Sequence, residues 1–312
     1  MTMEKTFNQG GTASASAGDS GLLRQLKSLK KTVLLGRILA IVLPVAGFAL
    51  VAFIAMQEEW IWMLVAILVL LLLWIANALR LKSRSRKLKT LLGQSITMPV
   101  LQEFFEVHEY LPDKGIDERI IYSAGLVESW DRYSGSDLLR GKYRGLNILY
   151  SDIHLEREET DTDSEGSTTT HYVTVFRGQW MICDFRKQLP ATLHLKAKGR
   201  SQLFKPKSDI ETENDAFNKR YQIKTGDGHT AFYVLTPHFM EYIMQAGDIA
   251  NAPTSFCFAG SQVHIAIDSR HDSLELKRVK LDSVDNIRNK FRSELKYVTD
   301  ILDLLLLNEN IY

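Results

Sequence analysis

Asp152 and His154 lie two positions apart in a strand-like run from Lys142 to Glu156. On a strand such a pair shares one face, so the two side chains could trade a proton as acid and base. A surface Asp beside a His is the commoner reason for the pattern, and no Gly-x-Ser-x-Gly elbow supplies a nucleophile. The loop from Glu158 to Thr170 carries Asp161, Asp163, Glu165 and Gly166, oxygen donors at alternate positions with a glycine sixth, like the first half of a calcium loop. Its twelfth position is Tyr172, where calcium needs a bidentate carboxylate, so the segment reads as a solvated hairpin loop.

The other candidates are weaker. His108, His154, His171, His194, His229, His238, His264 and His271 include no His-Glu-x-x-His pair, and Cys183 and Cys257 are too far apart for a zinc site. Each thiol sits in an apolar run and reads as buried and unpaired. Gly226-Asp227-Gly228 reads as a tight hairpin turn between strands. A phosphate cradle would need a helix directly after it, and none is expected there. No metal, cofactor or catalytic residue is assigned, and a binding role is favoured over an enzymatic one.

The formal net charge is +1, which gives no reason to expect a nucleic-acid partner. Cations are concentrated instead: Arg80, Lys82, Arg84, Arg86, Lys87 and Lys89 fall within ten residues. Such a belt beside a membrane span attracts anionic lipid, or serves only as an orientation signal.

That belt follows two apolar runs. Ile38 to Met56 holds 19 uncharged residues and Trp60 to Leu79 holds 20, separated by Gln57-Glu58-Glu59. Each matches the roughly 20 residues a helix needs to cross a bilayer. Pro44 and Gly47 are tolerated in such helices, and Pro44 is expected to kink the first. Trp60, Trp62 and Trp74 fall toward the ends of the second run, where amphipathic rings favour the interface. Arg24, Lys27, Lys30, Lys31 and Arg37 precede the first run and the basic belt follows the second, so both termini are expected in the cytoplasm. A cleaved signal peptide is not expected, because the first run exceeds a signal core and no small-x-small site precedes Glu58.

The organisation that follows has five parts. Residues 1–20, rich in Gly, Ala, Ser and Thr, are expected to be disordered. Residues 21–32 form a juxtamembrane amphipathic helix along the inner membrane face, with Leu22, Leu23, Leu26, Leu29 and Val33 on its apolar side. Residues 33–79 form the transmembrane hairpin, 80–96 a basic linker and 97–312 a cytoplasmic α+β domain. Within that domain, helices are expected from Pro99 to Tyr110, from Asp117 to about Glu128, and from Pro237 to a stop at Gly247 with Thr236 as cap. Strands are expected over Lys142–Glu156, Tyr172–Phe185, Thr192–Ala197, Tyr221–Lys224, Ala231–Leu235, Ser255–Phe258 and Val263–Asp268. Val284, Ile287, Phe291, Leu295, Val298, Leu302 and Leu305 recur every three or four residues. That stripe belongs to a C-terminal helix docked on the sheet, with self-association of two copies as the alternative.

Three stretches carry a resemblance to a known family: GSDLLRGKYRGLNILYSDIHLE from Gly135, VFRGQWMICDF from Val175 and FNKRYQIKTGDGHTAFYVLTPHFMEYI from Phe217. Together they resemble the bacterial domain-of-unknown-function family numbered thirty-one thirty-seven, also given a galanin label, over roughly Leu101 to Leu276. Matching positions include Gly135, Asp137, Gly141, Ser151, Phe176, Gly178, Asp184, Phe185, Asp227, Thr236 and Pro237. The resemblance implies a bacterial membrane protein with two spans ahead of a soluble domain, and it transfers no catalytic residue. The expectation is a multi-pass membrane protein whose α+β domain, a mainly antiparallel sheet covered by helices, binds or scaffolds. Its partners would be membrane lipid or another membrane protein. A subunit of a transport or envelope-assembly complex and a membrane-anchored hydrolase using Asp152 and His154 are the alternatives.

Overall fold

The two apolar runs lie in two long helices, α1 (Gly10–Ala55) and α2 (Trp60–Leu92). The computed structural model describes residues 10–56, 60–162, 166–185, 187–198, 207–276 and 280–306. It divides into two units, one of residues 1–97 with 279–288 and one of residues 98–278 with 289–312.

In the first unit, α1 and α2 pack side by side. Glycine makes the approach feasible: a methyl group on Gly47 would lie 2.9 Å from Leu70 Cδ1, and one on Gly36 3.2 Å from Leu81 Cδ1. Asn77 Nδ2 donates to Gly36 O at 3.0 Å and Trp74 Nε1 to Ala40 O at 3.3 Å, so α2 runs antiparallel to α1. The rest of their apolar surface faces outward, with Phe48 79% and Leu64 64% exposed. A soluble core helix would bury such side chains; both helices are long and apolar enough to cross a membrane, which suggests anchoring.

Two expectations change in this unit. The amphipathic segment 21–32 is the continuation of α1, and Leu26 and Val33 are buried. No breaker separates it from the span, and extending a formed helix costs little compared with nucleating another. Helix also occupies residues 10–20, within the stretch expected to be disordered, while residues 1–9 lie outside the described residues. α1 continues through Pro44. Near its start, Asp19 accepts two hydrogen bonds from the Arg288 guanidinium, at 2.9 and 3.2 Å.

The second unit is α+β. One eight-stranded antiparallel sheet has the order β1-β2-β3-β4-β8-β7-β5-β6. Its strands are β1 (Glu106–Leu111), β2 (Arg132–Tyr143), β3 (Leu146–Thr162), β4 (Thr168–Asp184), β5 (Leu193–Ala197), β6 (Tyr221–Thr225), β7 (Thr254–Ala259) and β8 (Gln262–Ile267). The helices are α3 (Met98–Phe104), α4 (Glu118–Ser123), α5 (Asp215–Arg220), α6 (Gly228–Val234), α7 (Pro237–Ala250) and α8 (Val284–Leu306). Ile153, Phe176, Trp180 and Ile182 form one core with Ile116, Ile121 and Leu126. All seven residues of the predicted C-terminal stripe are buried. α8 is tied to the sheet by Tyr297, whose hydroxyl donates to Gln179 of β4 at 2.8 Å.

Several local expectations are corrected. The helix expected over 99–110 stops at Phe104, because Glu106–Leu111 pairs with β2 as an edge strand and the ladder outweighs weak helix preference. α4 is shorter than expected, since Gly125 turns the chain at φ +59°. The run from Lys142 to Glu156 contains a hairpin: Arg144 and Gly145, at φ +46° and +85°, join β2 to β3. Ala231–Leu235, expected as a strand, lies in α6 and its cap, because the Asp227 carboxylate accepts the amides of His229 and Thr230 and starts a helix. α7 begins at Thr236 and Pro237 as expected but passes through Gly247 and ends at Asn251, whose φ of +48° closes it. The Glu158–Thr170 loop is the end of the β3–β4 hairpin, with residues 163–165 outside the described residues.

Gly178 packs directly against neighbouring backbone. A methyl group there would lie 2.0 Å from Ile267 O and 2.8 Å from Ser269 N. Gly178→Ala is expected to cost about 3 kcal/mol of domain stability. Gly226→Ala, with nothing within 4 Å, should move the thermal midpoint little; equal midpoints for the two variants would refute this packing.

Candidate functional site

The basic belt begins 20 residues after Trp60, or about 30 Å along a helix, which is one hydrocarbon thickness. At about 100° per residue, Arg80, Arg84 and Lys87 fall on one side of α2 and Lys82, Arg86 and Lys89 on the opposite side. The cations thus ring the helix as a collar. Arg80, Lys82, Arg84, Arg86 and Lys87 are exposed and Lys89 is half-buried. An open surface depression along this helical stretch is lined by Lys82, Arg86 and Lys87 together with Ser83, Thr90 and Gln94, and by Leu79 and Leu91. Cations beside hydroxyl and amide groups form a donor set suited to a phosphate or carboxylate.

In the second unit, the structure separates Asp152 from His154 as a working pair. His154 Nε2 bonds Thr174 Oγ1 at 2.9 Å, whereas Asp152 is buried at 2% exposure. Asp152 Oδ1 accepts from Gln179 Nε2 at 3.1 Å and Oδ2 from Ser273 N at 2.7 Å. Gln179 Nε2 also reaches His271 O at 3.0 Å. Burial, reinforced by the charge of Asp137, pushes the Asp152 pKa well above the carboxylate range, against the pull of its two donors. Burial and the Asp152 charge likewise raise Tyr150 and Tyr297.

Next to this cluster lies a charged cavity of about 240 Å³ lined by Arg177, Arg270, Asp272, Glu275, Lys290 and Glu294. Arg177 makes a bidentate pair with Asp272, at 3.0 and 2.6 Å, and Lys290 pairs with Glu294 at 2.9 Å. Glu294 in turn accepts from Leu274 N at 2.8 Å. These polar groups fasten the loop after β8 to β3, β4 and α8. Sequence reading reached Asp152 but not Gln179, Ser273, Asp272 or Tyr297, which are brought to it only by the fold. The one available hint was Arg177 and Gln179 alternating through an otherwise apolar strand.

Other groups fill framework roles. Cys183 and Cys257 are free and buried, and burial raises both thiols, Cys257 to about 11. His264 is held neutral, its pKa lowered to about 4 by burial. Its Nδ1 accepts from Trp180 Nε1 at 3.4 Å. Asp227 is occupied as a helix cap and Gly247 is packed against Tyr221 and Arg220. Among the described residues, no three His, Cys, Asp or Glu side chains are grouped to hold a metal.

The architecture defines an α+β domain carried behind an apolar helical hairpin. Residues 174–307 of the chain match the family model described as Protein of unknown function (DUF3137), the family that the motifs at Val175 and Phe217 resemble. The motif at Gly135 lies ahead of that range, and the match extends past Leu276 through α8. No curated protein matches the chain. A crystal structure of the mycobacterial trehalose monomycolate transport factor A, TtfA, is similar at 12% identity, covering 69% of this chain and 96% of that one with a TM-score of 0.33. That likeness is too distant to carry function.

The raised Asp152 pKa has a signed consequence. A carboxyl that holds its proton more tightly when folded stabilises the fold in acid, and that contribution is lost as pH climbs from about 3.9 through the raised value. Asp152→Asn should flatten this fall in thermal midpoint. An unchanged slope would mean that Asp152 is ionised at no net cost.

Proposed function

We propose that the protein is a membrane-anchored binding or scaffolding module of the bacterial cytoplasmic membrane, with two spans and both termini in the cytoplasm. The observation that carries this reading is the outward-facing apolar surface of α1 and α2, which ends at the collar of Arg80, Lys82, Arg84, Arg86, Lys87 and Lys89. Cations at both chain-terminal ends of the hairpin, and none in its turn, support the orientation.

Anionic lipid headgroups are the ligand proposed for the collar. Lys82, Arg86 and Lys87 offer charge while Ser83 and Thr90 offer hydroxyl donors along the same open depression. Each cation near a membrane surface contributes about 1 kcal/mol of attraction. The sheet domain would then hold a membrane-protein partner beside the bilayer. The hydrolase alternative loses its motivation, because Asp152 is engaged by Gln179 and Ser273 and His154 by Thr174.

Native mass spectrometry of the full chain released from nanodiscs tests the lipid reading. Phosphatidylglycerol should be retained over phosphatidylcholine. The variant Lys82→Gln, Arg86→Gln, Lys87→Gln should lose about 3 kcal/mol of that preference, on the order of a hundredfold. Equal retention of both lipids by the unaltered chain would contradict it.

A further inference from the structure

Past Glu156 and Thr174 the sheet narrows to two strands. β2 pairs with β3 only as far as Arg132↔Glu156, and β8 meets β4 only from Gln179 to Asp184. Arg157–Thr162 and Thr168–Val173 therefore continue as a two-stranded ribbon of six pairs, about 20 Å long. Among the described residues, no strand pairs with the outer edge of β4 along this ribbon.

The two outermost strands of the sheet are protected. β1 carries Glu106, His108 and Glu109 with a bulge between Val107 and Glu109, and β6 is covered where Asp209 N donates to Ile223 O at 2.9 Å. The β4 edge has no such device: Thr168-Thr169-Thr170-His171-Tyr172-Val173 contains no Lys, Arg, Asp, Glu or Pro. Its first four residues are exposed. Arg270 Nη1 donates to Thr174 O at 3.1 Å, so Thr174 presents its carbonyl outward. Strand alternation then turns the N–H and C=O groups of Tyr172, Thr170 and Thr168 the same way.

We propose that this edge pairs antiparallel with the same edge of a second copy, about a two-fold axis at Thr170 that sets Tyr172 opposite Thr168. The segment is self-complementary in hydrogen bonding: Thr170 faces its own copy, a favourable cross-strand pair, and is flanked by Thr169 opposite His171 and Thr168 opposite Tyr172. Arg270, 62% exposed, marks the base of the ribbon, and Asp161, 80% exposed, lies near its tip. The antiparallel arrangement lays the base of one ribbon along the tip of the other, so the Arg270–Asp268 pair of one copy lies toward the Asp161 end of its mate. Glu158 and Glu159 lie one strand back, engaged by Tyr172 and Arg157.

The test uses the full chain. Light scattering in mild detergent should give a dimer mass, and Thr170→Cys in native membranes should form a covalent dimer on mild oxidation. The expected pair separation of about 5.5 Å between Cα atoms suits a disulfide, and the native thiols are buried. Glu159→Cys, on the far strand, should crosslink at least tenfold less. Thr170→Lys and Thr170→Pro should both be monomeric while keeping the far-UV circular dichroism of the unaltered chain. A monomer mass for the unaltered chain, a dimer that Thr170→Lys leaves intact, or equal crosslinking from Glu159→Cys would each overturn the proposal. If Thr170→Pro fails to fold, Thr170→Lys alone decides.

Discussion

Water cannot solvate the outward side chains of α1 and α2 at acceptable cost, and the membrane reading begins there. Burying apolar surface is favourable by roughly 25 cal/mol per Å², so a stretch such as Leu71 to Trp74, each residue of which is at least 44% exposed, needs an apolar medium. Within lipid the backbone must satisfy itself, which accounts for uninterrupted helices through both runs. The two helices then gain little from hydrophobic contact with each other. Their association uses close packing at Gly36 and Gly47 and the polar contacts of Trp74 and Asn77.

The sheet domain meets a different constraint. It buries a carboxyl whose charge is disfavoured there yet whose oxygens are taken by two donors. Asp152 costs stability as an ion and contributes specificity as an acceptor, because Ser273 N and Gln179 fix the loop after β8 in one place. Gly178 serves the same end by sterics, letting Ile267 and Ser269 approach β4 where a side chain would intrude. Both features read as framework.

Much of the fold was legible in the sequence where one physical rule dominates locally. Span length and lack of charge marked the hairpin, the three-and-four spacing from Val284 to Leu305 marked α8, and Thr236-Pro237 marked the start of α7. Legibility failed where rules compete. Ala231-Phe232-Tyr233-Val234 favours a strand by side chain, but the Asp227 cap starts a helix; Val107 and Tyr110 joined a strand because β2 was there to pair with them. The site was less legible than the fold. Asp152 and Ser273 lie 121 residues apart, and no local pattern announces so distant a hydrogen bond. The nearby His154, the neighbour that the strand period suggested, turns to Thr174 instead.

The central claim is that lipid surrounds α1 and α2 over their apolar lengths. Labelling of single cysteines placed along α2 with a water-soluble maleimide, in isolated native membranes, tests it most directly. Leu64→Cys, Leu68→Cys and Leu72→Cys sit at positions that are 64%, 57% and 57% exposed in the structure, so protein does not shield them. The account predicts that all three stay unlabelled until detergent is added while Arg84→Cys reacts at once; rapid labelling of the three leucine positions in intact membranes would contradict it.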